Sequence, residues 1–323
     1  MRTDKTPWHF LLNPSAGRGK ALRRWQKWLP VLQAGLPTMT VAESNAKEGM
    51  TALAEAAVRS GKTYLVGVGG DGTHHDILNG IVRADGLQKV TYVPLPLGTG
   101  NDWVRTLKTP HNIGSWLKMT RRQQTMNHRV GKLVYLPTPS LSREEGLGER
   151  AITIIHDPLQ TTYFLNVAGL AYDAEVVRRS EKSRWESPWL YPLLTLLYLK
   201  GFTPPTVKIE YEGNTFTGPV HTINIGIGRY SGGGMRLVPQ ADPTANLLAL
   251  TYAKRLPIWK ILLSSWRFYT GTIGAIEEVT TTHARSVRVT PVDGRTALEA
   301  DGELLGEVPV VATLLDEHLR VVV

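Results

Sequence analysis

The run "YLVGVGGDGTHHDILNG" at residues 64–80 sets Gly69, Gly70 and Gly72 around one carboxylate, Asp71, with Thr73 directly behind. An apolar run ends there and a helical pattern begins. Glycine carries no Cβ, so an anionic group can approach the main chain closely. The amides of such a turn point into one concavity, and the helix start adds positive potential, which is the chemistry of phosphate binding. Asp71 then has a use beside phosphates, holding Mg²⁺ directly or through a water. The plainer reading is a tight strand-to-helix turn with Asp71 as a cap. His74 and His75 invite a metal instead. Adjacent residues on a helix point about 100° apart, however, and zinc helices use i, i+4 pairs. With no third ligand nearby, the histidines read as polar residues of a helix start.

Two further stretches repeat the pattern. In "LLNPSAGRGKA" (11–21), Gly17 and Gly19 precede a helix, with Arg18 and Lys20 beside them. The spacing is not that of a Walker loop, which needs GxxxxGK[ST]. In "PLPLGTGNDWVR" (94–105), Gly98 and Gly100 flank Thr99, whose hydroxyl can bond a phosphate or a ribose. Asn101 and Asp102 can cap the following helix or extend a polar network around a nucleotide. Three glycine-bearing strand ends on one parallel sheet would converge on one site.

The elements that must position these loops alternate. Strands are predicted at 8–13, 63–69 and 90–95, and helices at 17–32, 47–60, 73–84 and 101–107. Alternation of this kind predicts a parallel, Rossmann-like sheet covered on both faces, an α/β nucleotide-binding domain over residues 1–128. From 129 to 323 the character changes. "VGKLVYL", "AITIIHD", "TTYFLNVAG", "TVKIEYEG", "TFTGPVHTINIGIG", "LLALTYA", "SVRVTPV" and "PVVATLL" are short β-rich runs. They predict a mostly antiparallel, sandwich-like second domain, whose last strand could pack back on the first. Two helical inserts interrupt it, near 173–201 and 256–270, and 138–150 reads as an exposed loop.

Bulk properties narrow the classes. The chain has 323 residues, 42% of them hydrophobic and 20% charged, which suits a folded two-domain protein. It contains no cysteine, so disulfides, thiolate zinc sites and thiol nucleophiles are excluded. A net charge of +9 favours anionic partners. The N-terminus has an early Asp4 and only a brief apolar run, unlike a signal peptide. The most apolar stretch, 188–202, is interrupted by Pro192 and is shorter than the roughly 20 residues a span needs.

NPSAGRGK, GGDGT and PLGTGND, in this order, resemble the bacterial diacylglycerol kinase / lipid kinase family, which shares its nucleotide fold with NAD kinases and 6-phosphofructokinases. "NVAGLAYDAEVV" (166–177), "GGGMRLVPQADP" (232–243) and "ADGE" (300–303) are similar to the family's second domain, so the likeness spans nearly the whole chain. It implies ATP-dependent, Mg²⁺-assisted phosphorylation of a lipid hydroxyl, most simply diacylglycerol to phosphatidic acid. It assigns the base to Glu303, with Asp301 and Asp71 assisting. It implies a nucleotide site of Asn13, Pro14, Ser15, Ala16, Gly17, Ser44, Gly69, Gly70, Asp71, Gly72, Thr73, Thr99 and Asn101. On its own, D-G-E is simply a hairpin turn.

This sequence departs from the family at several points. His75 and Asp76 stand where relatives carry Asn and then Glu or Asp. Arg129 stands where an acidic residue is common, which removes an expected partner of Arg105. Ala245 and Asn246 interrupt a structural Mg²⁺ loop to which Asp242 could still contribute.

On the lipid side, 178–202 joins Arg178, Arg179, Lys182 and Arg184 to Trp185, Trp189 and Tyr191. Basic residues meet headgroups and aromatic ones suit the interface, although a core-packed helix with a solvated basic end has the same pattern. The resulting expectation is a cytoplasmic kinase, peripherally associated with an anionic membrane, a possible homodimer, with no nucleic-acid partner. The alternatives are an NAD kinase-like soluble kinase and a catalytically impaired nucleotide- or lipid-binding regulator.

Overall fold

The computed structural model describes residues 6–17, 19–45, 47–137, 158–182, 198–199 and 201–323. Arg18, the expected loop at 138–150, the expected strand at 151–157, and Arg184, Trp185, Trp189 and Tyr191 lie outside these residues.

The first half alternates as its periodicity dictates. In order come β1 (His9–Leu12), α1 (Lys20–Gly35), β2 (Thr40–Glu43), α2 (Met50–Arg59), β3 (Tyr64–Gly69), α3 (Asp71–Arg83), β4 (Thr91–Pro96), α4 (Asp102–Leu107) and α5 (Ile113–Arg122). The strands pair parallel in the order β2-β1-β3-β4. The interior strands are almost wholly apolar because both faces are covered. Leu11, Leu65 and Tyr92 meet Met50, Ala54, Ile77 and Ile81 on one side. Phe10, Leu12 and Val66 meet Trp25, Leu32 and Trp116 on the other. Sequence periodicity misses β2, because "TVAE" is an edge strand with three of its four residues exposed. The first helix starts at Lys20, not 17, because Gly17 and Gly19 sit at φ +57 and +79.

The second half is β-rich. It runs β5 (Thr125–Pro137), β6 (Gln160–Phe164), β7 (Val167–Ala171), α6 (Tyr172–Lys182), β8 (Thr206–Tyr211), β9 (Asn214–Gly226), β10 (Leu248–Lys254), α7 (Ile258–Ser264), α8 (Trp266–Thr270), β11 (Val279–Ala284), β12 (Ser286–Pro291), β13 (Ala297–Ala300) and β14 (Glu303–Val322). Its strands pair with one another antiparallel around a core that includes Leu133, Phe164, Ile209, Ile223, Leu250, Val289 and Leu298. The single strand predicted at 161–169 is two strands that break at Leu165–Asn166. The amides of those two residues leave the ladder to bond the Asp301 carboxylate.

β14 joins the halves. It pairs antiparallel with β13, β12 and β5, and its end, Arg320–Val321, pairs parallel with Thr91–Tyr92 of β4. The parallel strands therefore do not stand apart as a closed Rossmann sheet, because the ladder runs on into the antiparallel half. Among the described residues no helix is long and apolar enough to cross a membrane.

Candidate active site

Three loops meet at the C-terminal ends of β1, β3 and β4. After β1, the Asn13 amide donates to Val68 O at 3.0 Å, Asn13 Nδ2 donates to Thr73 Oγ1 at 3.0 Å, and Asn13 Oδ1 accepts from the Ser15 amide at 3.0 Å. Pro14 and Ala16 are half-buried and Ser15 is exposed. Gly17 brings this loop onto the third, where a Cβ would lie 2.7 Å from Leu97 O. After β4, the amides of Leu97 and Gly98 donate to Gly69 O at 2.7 and 3.0 Å. Asn101, at φ +52, folds back so that its Oδ1 accepts from the Gly98 amide and its Nδ2 donates to Gly98 O. Thr99 stays exposed at the tip. Ser44, just past β2, is half-buried and its amide donates to Leu12 O at 3.0 Å.

The glycines are required first by protein packing on protein. A Cβ on Gly98 would lie 2.3 Å from Gly70 Cα, and one on Gly69 would lie 2.2 Å from Thr73 Oγ1. Such contacts are well inside van der Waals separation and allow no side chain.

Asp71 caps the helix after the next strand, not its own. Its Oδ2 accepts from the Asp102 amide and its Oδ1 from the Trp103 amide, each at 3.0 Å, at the start of α4. Burial raises its pKa, and the charge of Asp102 adds to this against the pull of the two amides. Asp102 in turn accepts from the Gly233 amide at 2.7 Å through Oδ2, while Arg105 Nε lies 3.6 Å from its Oδ1. Its pKa is also raised by burial, against the Gly233 amide, Arg105 and the Gly234 amide. The link to the left-handed Gly232–Gly234 run ties the first half to the second. Arg105 thus finds its partner in Asp102. Arg129 instead donates to the carbonyls of Leu315 and Asp316, at 2.6 and 3.0 Å.

The second half delivers the D-G-E turn. Asp301 and Gly302 connect β13 to β14 at φ +53 and +87, the two-residue hairpin geometry that Asp-Gly favours. Asp301 is buried. Its Oδ1 accepts from the Asn166 amide at 2.9 Å, and its Oδ2 accepts from the Leu165 amide at 3.0 Å and lies 3.2 Å from His75 Nδ1. These contacts fix the turn between β6–β7 and α3. Glu303, exposed, reaches the first turn of α3, where its Oε1 is 1.8 Å from the position of a Cβ on Gly72. The vacancy at Gly72 is therefore filled by the Glu303 carboxylate.

Charge around this turn is finely opposed. Burial lowers the pKa of His75, but the hydrogen bond and charge of Asp301, with Asp76 and Glu303, raise it on balance. Behind the turn, Glu299 is buried and its Oε2 accepts from the Gly302 amide at 2.9 Å. Burial holds Glu299 well above the usual carboxylate range, and Asp173, Asp301 and Glu303 add to this against that amide. Burial likewise lifts Asp173 to about 6, against hydrogen bonds from Thr222 and Asn224. His74 belongs to the core. Its Nδ1 lies 2.7 Å from the Tyr92 hydroxyl, its ring packs on Trp103, and burial depresses it to about 3. Asp242 closes a local turn, accepting from the amide and hydroxyl of Thr244 at 2.8 and 2.7 Å. Among the described residues no group of three or more His, Cys, Asp or Glu is placed to hold a metal.

Asp102 as an inter-half link and Glu299 as the support of the turn were not evident from sequence. The GGG at 232–234 was a signal for the first. "ALEADGE" gave none for the second, since Glu299 sits among residues that are simply buried.

This layout, glycine loops at parallel strand ends met by a carboxylate turn from a β-rich half, is that of an NAD kinase-like fold. Yeast NADH kinase complexed with NADH superposes with a TM-score of 0.50 at 11% identity, over 99% of this chain and 84% of that one. The family is more specific. The diacylglycerol kinase catalytic domain model matches residues 7–133, and the YegS C-terminal NAD kinase beta sandwich-like domain model matches residues 166–323. The chain belongs to the diacylglycerol kinase / lipid kinase family. A diacylglycerol kinase of Bacillus subtilis (strain 168) is 25% identical over 97% of this chain and 95% of its own length. One from Staphylococcus carnosus (strain TM300) is 24% identical over 97% and 93%. A diacylglycerol kinase structure from Bacillus anthracis str. Sterne superposes with a TM-score of 0.68 at 20% identity, over 99% of this chain and 98% of that one.

Proposed function

We propose that this protein transfers the γ-phosphate of ATP to a lipid hydroxyl, with diacylglycerol as acceptor and phosphatidic acid as product. The observation that carries the reading is the seat of Glu303 on Gly72, which brings a carboxylate from the β-rich half to the start of α3. A lipid alcohol barely ionises near neutral pH, so a positioned base must take its proton as the bond to phosphorus forms. In the proposed step the hydroxyl proton passes to a Glu303 oxygen. The hydroxyl oxygen forms a bond to the γ-phosphorus, the bond from that phosphorus to the β–γ bridging oxygen breaks, and ADP leaves.

Asp301 acts as a positioning residue, since both its oxygens are engaged in holding the turn. The first half, residues 1–128, serves as a Rossmann-like nucleotide domain and 129–323 as the lipid domain. Ser15 and Thr99 are exposed at the loop tips, and a Cβ on Gly19 would meet nothing within 4 Å, so these positions are open to a nucleotide. The remaining nucleotide contacts come from Asn13–Gly17, Ser44, Gly69–Thr73 and Asn101. Mg²⁺ suits the desolvated Asp71 and Asp102, whose mutual repulsion a divalent cation would relieve, and when bound it would neutralise charge on the phosphates. The protein acts in the cytoplasm at the face of an anionic membrane.

The likeness to an NADH kinase favours a second reading with a soluble dinucleotide acceptor. Labelled ATP offered with diacylglycerol vesicles, other lipid alcohols, NAD or NADH separates the two. Label in phosphatidic acid is expected. Label in a dinucleotide would overturn the lipid reading, and nucleotide binding without turnover on any acceptor would favour an impaired regulator.

A further inference from the structure

α7 and α8 turn most of their apolar residues outward. Ser265 between them keeps helical angles, φ −58 and ψ −31, so residues 258–270 wind almost as one helix. At about 100° per residue, Ile258, Trp259, Leu262, Leu263, Trp266 and Tyr269 fall on one stripe about 140° wide. That stripe faces outward. Trp259 is 63% exposed, Leu263 70% and Trp266 54%, and no residue of either helix is buried. The half-buried side chains are Lys260, Ile261, Ser264, Ser265, Arg267 and Phe268, of which only Ile261 and Phe268 are apolar. A surface helix in water normally does the reverse.

The setting favours an anionic apolar partner. Exposed Lys254 and Arg255 lead into α7, Lys260 pairs with Glu278, and Arg267 lies over the Trp266 ring at 4.6 Å. These cations exceed the two carboxylates present, Glu277 and Glu278. By their other side, the helices that carry the stripe pack close to the candidate site. Ile261 packs against Tyr172, Val176 and Leu199, next to the strand that pairs with β13. The Arg236 amide donates to Phe268 O at 2.5 Å, just past the Gly232–Gly234 run whose amide holds Asp102.

We propose that the outward stripe of α7–α8 docks on the surface of a bilayer containing anionic lipid. Indole and leucine side chains enter the interface and the cations meet the headgroups. The inference rests on the lipid-kinase reading, but its test does not. Full-length protein, without nucleotide, is floated with phosphatidylcholine vesicles and with vesicles containing 30% (about one part in three) phosphatidylglycerol. Binding to the anionic vesicles is expected, weakening as salt rises. The triple variant Trp259→Ser, Leu263→Ser, Trp266→Ser should lose at least about tenfold in vesicle affinity. All three side chains are exposed, so circular dichroism and nucleotide affinity should match the parent. Phosphorylation of a short-chain, water-dispersed diacylglycerol should likewise be unchanged in the variant. Failure of the parent to float, or equal flotation of the variant, overturns the docking proposal whatever the acceptor proves to be. If the parent is a dimer, the variant a monomer and flotation the same, the stripe joins two copies of this chain and the proposal falls.

Discussion

The two halves build their contribution to the site by opposite means. The first half removes side chains: Gly17, Gly69, Gly70, Gly72 and Gly98 leave room where loops and carboxylates press together. The second half adds side chains and buries their polar groups: Asp301 and Glu299 are desolvated carboxyl groups that hold a two-residue turn. A site made from missing atoms tolerates no addition. A site made from buried polar groups tolerates no loss of a partner. Perturbing each in its own way tests the contrast.

The largest effect is expected at the point where the halves touch. Glu303→Gln keeps the shape and removes the proposed base, and should lower turnover by about 10³-fold with nucleotide affinity retained, read by single-turnover transfer and calorimetric titration. Undiminished transfer would show that the carboxylate serves only packing. Next is the charge pair. His75→Ala strands the buried Asp301 carboxylate and should cost about 3 kcal/mol, measured by denaturant unfolding at pH 6. The folded-state pKa of His75 is raised, so the pair's stabilisation is complete below about 6.5 and is lost as pH climbs through the raised value. The gap between parent and variant should therefore narrow toward pH 9, and a gap independent of pH would remove the ion pair from the account.

Smaller effects probe the missing atoms. Gly98→Ala drives a Cβ against Gly70 main chain and should destabilise by about 2 kcal/mol, seen as a lowered Tm. Gly72→Ala meets only the end of a flexible side chain, the Glu303 carboxylate. It should cost about tenfold in turnover while leaving Tm unchanged or higher, because Ala favours a helix over Gly by about 1 kcal/mol. A fall in Tm at Gly72 comparable with that at Gly98 would erase the distinction between packing glycines and a glycine kept for the Glu303 carboxylate.

Much of this architecture was legible in the chain. Strands such as YLVGVG and TYVPLP announce themselves because both faces are buried, and the glycine runs mark where they end. The D-G-E turn was legible as a hairpin from Asp-Gly alone. What periodicity could not carry was partnership at long range. Asp71 reads as a phosphate or metal residue, yet its oxygens cap α4, 31 and 32 residues further on. His75 reads as a helix-start polar residue, yet its partner Asp301 is 226 positions away. The glycines read as room for a ligand, whereas several of them make room for other parts of the protein. In each case local chemistry was readable and the identity of the neighbour was not, because the neighbour is set by how β14 brings the second half over the first.

That strand also governs how the molecule can come apart. β14 contributes hydrogen bonds to β13, β12 and β5 and ends in the ladder of β4. Two bodies joined by a flexible connector would swing and melt separately. Here a single peptide run is shared by both, so opening a gap between them means tearing a ladder. The expected calorimetric trace is one cooperative transition, with the slowest-exchanging amides gathered along this common spine.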